Sequence, residues 1–210
     1  MIEKAKKNIP RQCVPINGDV KTFNFKEFAS TVQGLKGRYF DAIMMDPPWE
    51  LSSATPTRGV AIGYDTLADD GIKKMDVPCI QDAGFILIWV INAKFVSGLK
   101  LLESWGYEYC TVINWIKQTK TGGIAKGHGF YLQHAKESCI VGKKNIDKMP
   151  IEVKTNLGLD IIFSRRQGQS QKPKEIYQLI QKVMPDCFPL EIFGRRNNLR
   201  DFWVTLGNEI

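Results

Sequence analysis

From residue 37 onward, short apolar runs alternate with segments whose apolar residues recur every three or four positions. The runs at 39–45, 85–91, 109–116, 137–141, 160–163 and 190–193 are short and rich in apolar or β-branched residues, the pattern of buried strands. Between some of them the period becomes helical. Over 93–105, Phe95, Leu99 and Leu102 fall at spacings of four and three, and Gly106 supplies a stop. Over 173–184, a proline opens the first turn and Ile176, Leu179, Ile180 and Val183 share one face. A further helix is expected over 23–32, where Phe25, Phe28 and Val32 recur with helical spacing. Strands and helices in alternation predict an α/β sheet with helices on both faces.

Three stretches rich in glycine and small polar residues read as loops: 51–63, 117–129 and 164–172. Each follows or faces a predicted strand end, where α/β proteins place their sites. With 210 residues, 43% of them hydrophobic, the chain has material for one substantial core. We expect a single domain over 1–210, with 1–15 an extended or flexible basic segment. Lys and Arg exceed Asp and Glu by 29 to 22, giving +7. A balance of that sign favours a polyanionic partner such as nucleic acid, although a plain basic surface gives the same number. Five widely spaced cysteines form no Cys-x-x-Cys pair and only two histidines are present, so no metal site is expected. The cysteines in apolar runs read as small core residues of a protein in a reducing compartment. No stretch is long and apolar enough to cross a bilayer, and a membrane partner is not expected.

One strand ends on unusual chemistry. The apolar run 40–45 stops at Asp46-Pro47-Pro48-Trp49, a carboxylate followed by two residues that hold the backbone extended and then a large aromatic. Methylating an aromatic amine requires the nitrogen to be held and drawn toward sp³ geometry, because its lone pair is delocalised into the ring. Asp46 and the Pro47 carbonyl are two acceptors that could each take one amine hydrogen, and Asp46 could disperse the charge as the bond forms. Trp49 would be a stacking platform worth roughly 1–3 kcal/mol per base. An ordinary turn followed by a core tryptophan accounts for the same four residues equally well.

A second strand, the run 190–193, leads into Gly194-Arg195-Arg196-Asn197-Asn198. A glycine there lets a ligand approach the backbone, and the arginine and asparagines could hold a ribose and an amino-acid carboxylate. The segment lacks the dinucleotide Gly-x-Gly-x-x-Gly pattern, and taken alone a basic surface turn is the better reading.

Together these segments resemble the DPPW-type N6-adenine methyltransferases, the family of the seventy-kilodalton catalytic subunit of the eukaryotic mRNA adenosine methyltransferase. The resemblance runs from about Asp19 to Glu209. Beyond the two turns it rests on the segments at 64–67, 82–90, 105–107, 134–137, 171–173 and 203–208. It implies a Rossmann-like methyltransferase sheet in permuted motif order, the catalytic strand preceding the cofactor strand, with S-adenosylmethionine as donor. By motif match, Asp46, Pro47, Pro48 and Trp49 would be catalytic. Asp19 and Val20 would flank the adenine of the cofactor, and Asp46, Lys172, Phe193, Arg195, Arg196, Asn197, Asn198, Asn208 and Glu209 would complete its pocket. Trp49, Tyr64 and Lys172 would meet the target base.

The chain departs from the mRNA enzyme's pattern in places. That enzyme reads Phe-Gly-Arg-Pro-His-Asn where Arg196 and Asn197 stand here, and Gly-Asn-Gln where Glu209 stands. Asparagine and glutamate still bond hydroxyls. The loop at 117–129 corresponds to one through which the family pairs with a second, often catalytically degenerate, methyltransferase-like subunit, so a heterodimer is expected, in the nucleus. Among branches the chain is most similar to the ciliate DNA adenine methyltransferases, which favours DNA as substrate. The alternatives are an RNA adenosine methyltransferase, an inert nucleic-acid-binding paralogue, and methylation of another planar amine such as cytosine N4 or a glutamine side chain.

Overall fold

The computed structural model describes residues 10–50, 66–127, 129, 131–168 and 171–210. Tyr64 and the predicted loop at 51–63 lie outside the described residues. All six predicted strands form: β2 (Ala42–Met45), β3 (Gly84–Val90), β4 (Glu108–Gln118), β5 (Lys136–Lys144), β6 (Ile161–Arg165) and β7 (Pro189–Ile192). Two strands that the hydropathy pattern did not predict complete the sheet, β1 (Val14–Asn17) and β8 (Val204–Gly207). β1 is an edge strand of four residues that includes a proline, so it shows neither an apolar run nor alternation. β4 and β5 extend past their apolar centres into lysine and glutamate. Their ends are set by antiparallel backbone pairing, such as Ile116 with Lys136 and Glu108 with Lys143, and not by side-chain hydropathy.

The sheet runs in the order β1-β8-β7-β2-β3-β5-β4-β6, with β5 antiparallel to both neighbours and every other pair parallel. β2 sits near the middle, and all four of its residues are buried. Such strands read as continuous apolar runs because both faces are covered. Ile43 and Met45 face a core with α1 (Phe25–Lys36), α2 (Asp69–Lys73) and α3 (Phe95–Ser104), while Ala42 and Met44 face a second core with α4 (Glu175–Val183). The predicted layering, an α/β sheet with helices on both faces, is therefore observed. α2 has no counterpart among the predicted helices.

α1 shows how local chemistry sets the helix ends. The Asn24 side chain caps it by accepting from the Glu27 amide at 3.1 Å, and Gly37 ends it at φ +68°. The helix runs a turn beyond the predicted end, with residues 33–36 facing water, Leu35 among them. Cys139 is a core residue, as expected of a cysteine in an apolar run; Cys79 and Cys187 are half-buried and packed against the core, Cys13 is half-buried and Cys110 is exposed.

Parallel pairing of β1, β8, β7 and β2 has one consequence for function. Their carboxyl ends emerge side by side, bringing Asp19, Asn208, Phe193 and Asp46 to one edge although they are spread over most of the sequence.

Candidate active site

Asp46 follows the last residue of β2 and is held from the side by Lys172, whose Nζ lies 2.8 Å from Asp46 Oδ2. The same ammonium is 3.0 Å from Glu137 Oε2 on β5, and the other oxygen of Glu137 accepts from Lys117 on β4. Four charges thus alternate in a row, Asp46–Lys172–Glu137–Lys117. Two tryptophans line the row: Lys172 Nζ lies 5.6 Å from the Trp89 ring centroid and Lys117 Nζ 5.2 Å from that of Trp115. Lys172 is 8% exposed, so its charge depends on these partners.

Burial disfavours the Lys172 ammonium, but Asp46 and Glu137 outweigh it and raise the lysine's pKa. Burial likewise opposes the Glu137 carboxylate, and Lys172 and Lys117 overcome it, holding Glu137 below the usual range. Asp46 differs. Burial pushes its carboxyl up, with Lys172 pulling it back. Lys172 engages Oδ2 and leaves Oδ1 as the acceptor on Asp46 that can face a substrate.

The residues after Asp46 fold inward. The Trp49 amide donates to the Pro47 carbonyl at 2.8 Å, and the Leu67 amide donates to the Pro48 carbonyl at 2.7 Å. The Pro47 carbonyl therefore already accepts one bond and offers a substrate only its second lone pair. Trp49 is 7% exposed within the core, and its indole Nε1 donates to the Trp89 carbonyl at 2.9 Å. The open stacking platform expected of Trp49 is thus corrected: the indole anchors this turn to the end of β3, because a buried N–H must find an acceptor.

The turn after β7 is built on close contact. Phe193 takes φ +64°, an unusual value for a side chain of that bulk. A Cβ on Gly194 would stand 2.2 Å from Thr205 Cγ2, and one on Gly207 would stand 2.0 Å from the Gly194 carbonyl oxygen, so glycine is required at both places. Arg195 Nε pairs with Glu209 Oε2 at 3.2 Å, and the Arg196 amide donates to the Glu209 carbonyl.

Asn198, expected to touch a cofactor, is engaged within the protein. Its Nδ2 donates to Tyr177 Oη at 2.9 Å and to Glu191 Oε1 at 2.8 Å, while its Oδ1 accepts from the Arg195 amide at 2.9 Å. Both amide hydrogens are consumed inside the protein. Asp19, Arg196, Asn197, Asn208 and Glu209 are exposed along the same edge, and Val20 is buried against the core.

The edge from Asp19 to Asp46 carries exposed carboxylates, amides and guanidinium groups beside apolar Val20 and Phe193. This donor set fits a nucleoside joined to a zwitterionic amino acid, the two ends of S-adenosylmethionine. Sequence reasoning quoted Glu137 in a motif without a role and missed Lys117, Tyr177 and Glu191. Glu191 did leave a signal, a charged residue between two apolar ones in a strand with apolar alternatives on either side.

Comparison with known proteins agrees with this geometry. The chain is 35% identical to the human N(6)-adenosine-methyltransferase catalytic subunit METTL3 over 173 residues, which is 81% of the chain and 28% of that protein. It is 32% identical to the Arabidopsis thaliana N(6)-adenosine-methyltransferase MT-A70-like over 197 residues, 93% of the chain and 26% of the relative. It is 28% identical to the Drosophila melanogaster N(6)-adenosine-methyltransferase non-catalytic subunit METTL14 over 190 residues, 83% of the chain and 47% of the relative. The chain therefore spans less than half the length of each of these relatives. The MT-A70 family model matches residues 40–209, a span that takes in Asp46, Glu137, Lys172 and the turn after β7, and the chain belongs to the MT-A70 family.

Proposed function

We propose that this chain is the catalytic unit of an S-adenosylmethionine-dependent N6-adenine methyltransferase that acts on nucleic acid, folded as one domain with the catalytic strand β2 preceding the cofactor strand β7. One observation carries the reading: Asp46 stands at the edge of the sheet with Oδ2 fixed by Lys172, at 2.8 Å, and with Oδ1 left to accept an amine hydrogen. Asp46 would orient the N6 amine and disperse the positive charge that develops on it. The second lone pair of the Pro47 carbonyl would take the other hydrogen. S-adenosylmethionine, when bound, supplies an electrophilic methyl group. Asp19, Val20, Lys172, Phe193, Arg195, Arg196, Asn197, Asn208 and Glu209 would hold it, with Asn198 shaping the turn from behind. Tyr64 would close over the base.

The names of the METTL3-type relatives specify adenosine, a ribonucleoside, and this supports RNA over the DNA expected from sequence. A heterodimer with a second methyltransferase-like subunit, in the nucleus, remains part of the proposal. Its support is the exposed apolar surface on the β4–β5 hairpin and edge strand β6, where Ile124, Leu132 and Phe163 are open to solvent.

The test offers labelled S-adenosylmethionine with matched RNA and DNA oligonucleotides, with and without cell extract to supply a second subunit, followed by identification of the modified base. N6-methyladenine in RNA is the expected product. Labelled cytosine, labelled protein alone, or no cofactor binding under any condition would overturn the reading, the last in favour of an inert nucleic-acid-binding paralogue.

A further inference from the structure

Glu191 occupies the middle of β7, 4% exposed, between Leu190 and Ile192, which are both fully buried. A carboxyl in such a place is costly unless its oxygens are met. Both are. The Tyr177 hydroxyl on α4 donates toward Oε1 and Oε2 at 2.9 and 3.0 Å, and Asn198 Nδ2 donates to Oε1 at 2.8 Å. Asn198 also donates to the Tyr177 oxygen and accepts from the Arg195 amide, closing a ring of bonds from β7 through α4 to the turn. The Arg200 guanidinium covers the network, 3.9 Å from the centroid of the Tyr177 ring.

We propose that Glu191 and Tyr177 are positioning residues for the donor site: they fix the Asn198 side chain, and through it hold the Arg195–Asn198 turn in the shape that receives the ribose and amino-acid part of S-adenosylmethionine. The inference rests on the methyltransferase reading above. Neither residue needs to touch the ligand, because the bond from the Arg195 amide to Asn198 Oδ1 transmits the constraint. Without Glu191, Asn198 would keep one partner for two amide hydrogens, and its side chain would be free to turn away from the Arg195 amide.

Burial pushes the Glu191 carboxyl up to about 8; Tyr177 and Arg200 oppose that shift, Asp46 adds to it, and Lys172 opposes it. The protonated acid is thus the form to imitate, and glutamine does so: its oxygen accepts from Tyr177 and Asn198, and its amide donates back to the tyrosine oxygen.

The experiment compares the parent with Glu191→Leu, Tyr177→Phe and Glu191→Gln, each in complex with any required partner. Two quantities are read: the dissociation constant for S-adenosylmethionine by calorimetry, and hydrogen exchange at the Arg195 and Asn198 amides without ligand. Glu191→Leu leaves two donors, the Tyr177 hydroxyl and one Asn198 amide hydrogen, without their acceptor, so donor affinity should fall by about tenfold, and Tyr177→Phe should lower it by about threefold to tenfold. Amide exchange in the turn should quicken in step, whereas Glu191→Gln should stay within about threefold of the parent on both readouts. Affinity for an RNA oligonucleotide should not change.

If Glu191→Leu does not fold, Tyr177→Phe, which keeps the ring, decides the matter alone. Parental donor affinity in the variant that decides, weakened affinity with unchanged exchange, or a Glu191→Gln variant as damaged as Glu191→Leu would each overturn the inference. A parent that binds no donor refutes the methyltransferase reading instead, and the exchange data still report whether Glu191 and Tyr177 hold the turn.

Discussion

Replacing Lys172 with methionine keeps most of the length and packing of the side chain and removes its ammonium group, charge and hydrogen-bond donors together. In the parent that ammonium lies 2.8 Å from Asp46 and 3.0 Å from Glu137, at 8% exposure. Breaking a buried ion pair by removing one partner costs about 3–5 kcal/mol, because the remaining charge stays unpaired in a poor solvent. Here Asp46 and Glu137 keep side-chain exposures of 29% and 20%, and Glu137 retains Lys117, so water and the second lysine offset part of the loss. We expect a cost of about 2–3 kcal/mol, a drop of about 5–10 °C in melting temperature for a chain of this size.

The effect on chemistry should be larger than the effect on stability. Without Lys172, burial acts on the Asp46 carboxyl with less opposition, its pKa rises further, and it loses acceptor strength and the fixed direction of Oδ1. The assay pairs thermal unfolding with methyl transfer, on Lys172→Met and on Lys172→Met with Asp46→Asn. In the double variant one orphaned charge is gone, so its stability loss should be smaller than the sum of the two single losses by about 1 kcal/mol or more. Strict additivity, or a melting temperature unchanged by Lys172→Met, would refute the account of Lys172 as the charge that holds the row together.

Other consequences are open to direct measurement. Asp46→Ala should lower turnover on the order of 10²-fold or more with the fold intact by circular dichroism, and undiminished methylation would remove Asp46 from the reaction. Trp49→Phe deletes the indole N–H that satisfies the Trp89 carbonyl and should cost about 1–3 kcal/mol in urea unfolding; an unchanged midpoint would mean that this bond does not anchor the turn. Gly194→Ala puts a methyl 2.2 Å from Thr205 Cγ2 and should destabilise by about 1–3 kcal/mol while weakening donor binding, so a parental melting temperature would count against the tight packing of β7 on β8. Glu137 has a folded pKa below its ordinary value, so its stabilisation is full above the usual glutamate range and is lost as pH falls through the lower folded value. Acid titration of Glu137→Gln should lack that loss, and identical acid profiles for parent and variant would contradict it.

Asp46 was legible from sequence because an apolar run that stops abruptly at a carboxylate and two prolines marks a strand end in any α/β chain. Hydropathy alone did not say which way Trp49 points. An indole four residues past a strand can face solvent or core, and the acceptor that draws it inward is the Trp89 carbonyl, 40 residues away on β3. The inward bonds of Asn198 were hidden for the same kind of reason. Its role is assigned by Glu191 and Tyr177, which reach it from another strand and another helix. β1 was illegible because an edge strand with one covered face and a proline has no period to read.

The alternation of six apolar strands with three of the helices, the placement of Asp46 at a strand end, the glycine turn after β7 and the overall basic charge follow from the sequence alone. Each depends on neighbours within a few positions or on simple sums. What joins them was decided by the tertiary structure. Parallel pairing set the ends of β1, β8, β7 and β2 side by side, and burial favours a partner for each polar group there. That preference turned Trp49 and Asn198 inward and gave Lys172 two carboxylates, because the cost of an unmet bond or charge depends on surroundings that no local pattern encodes.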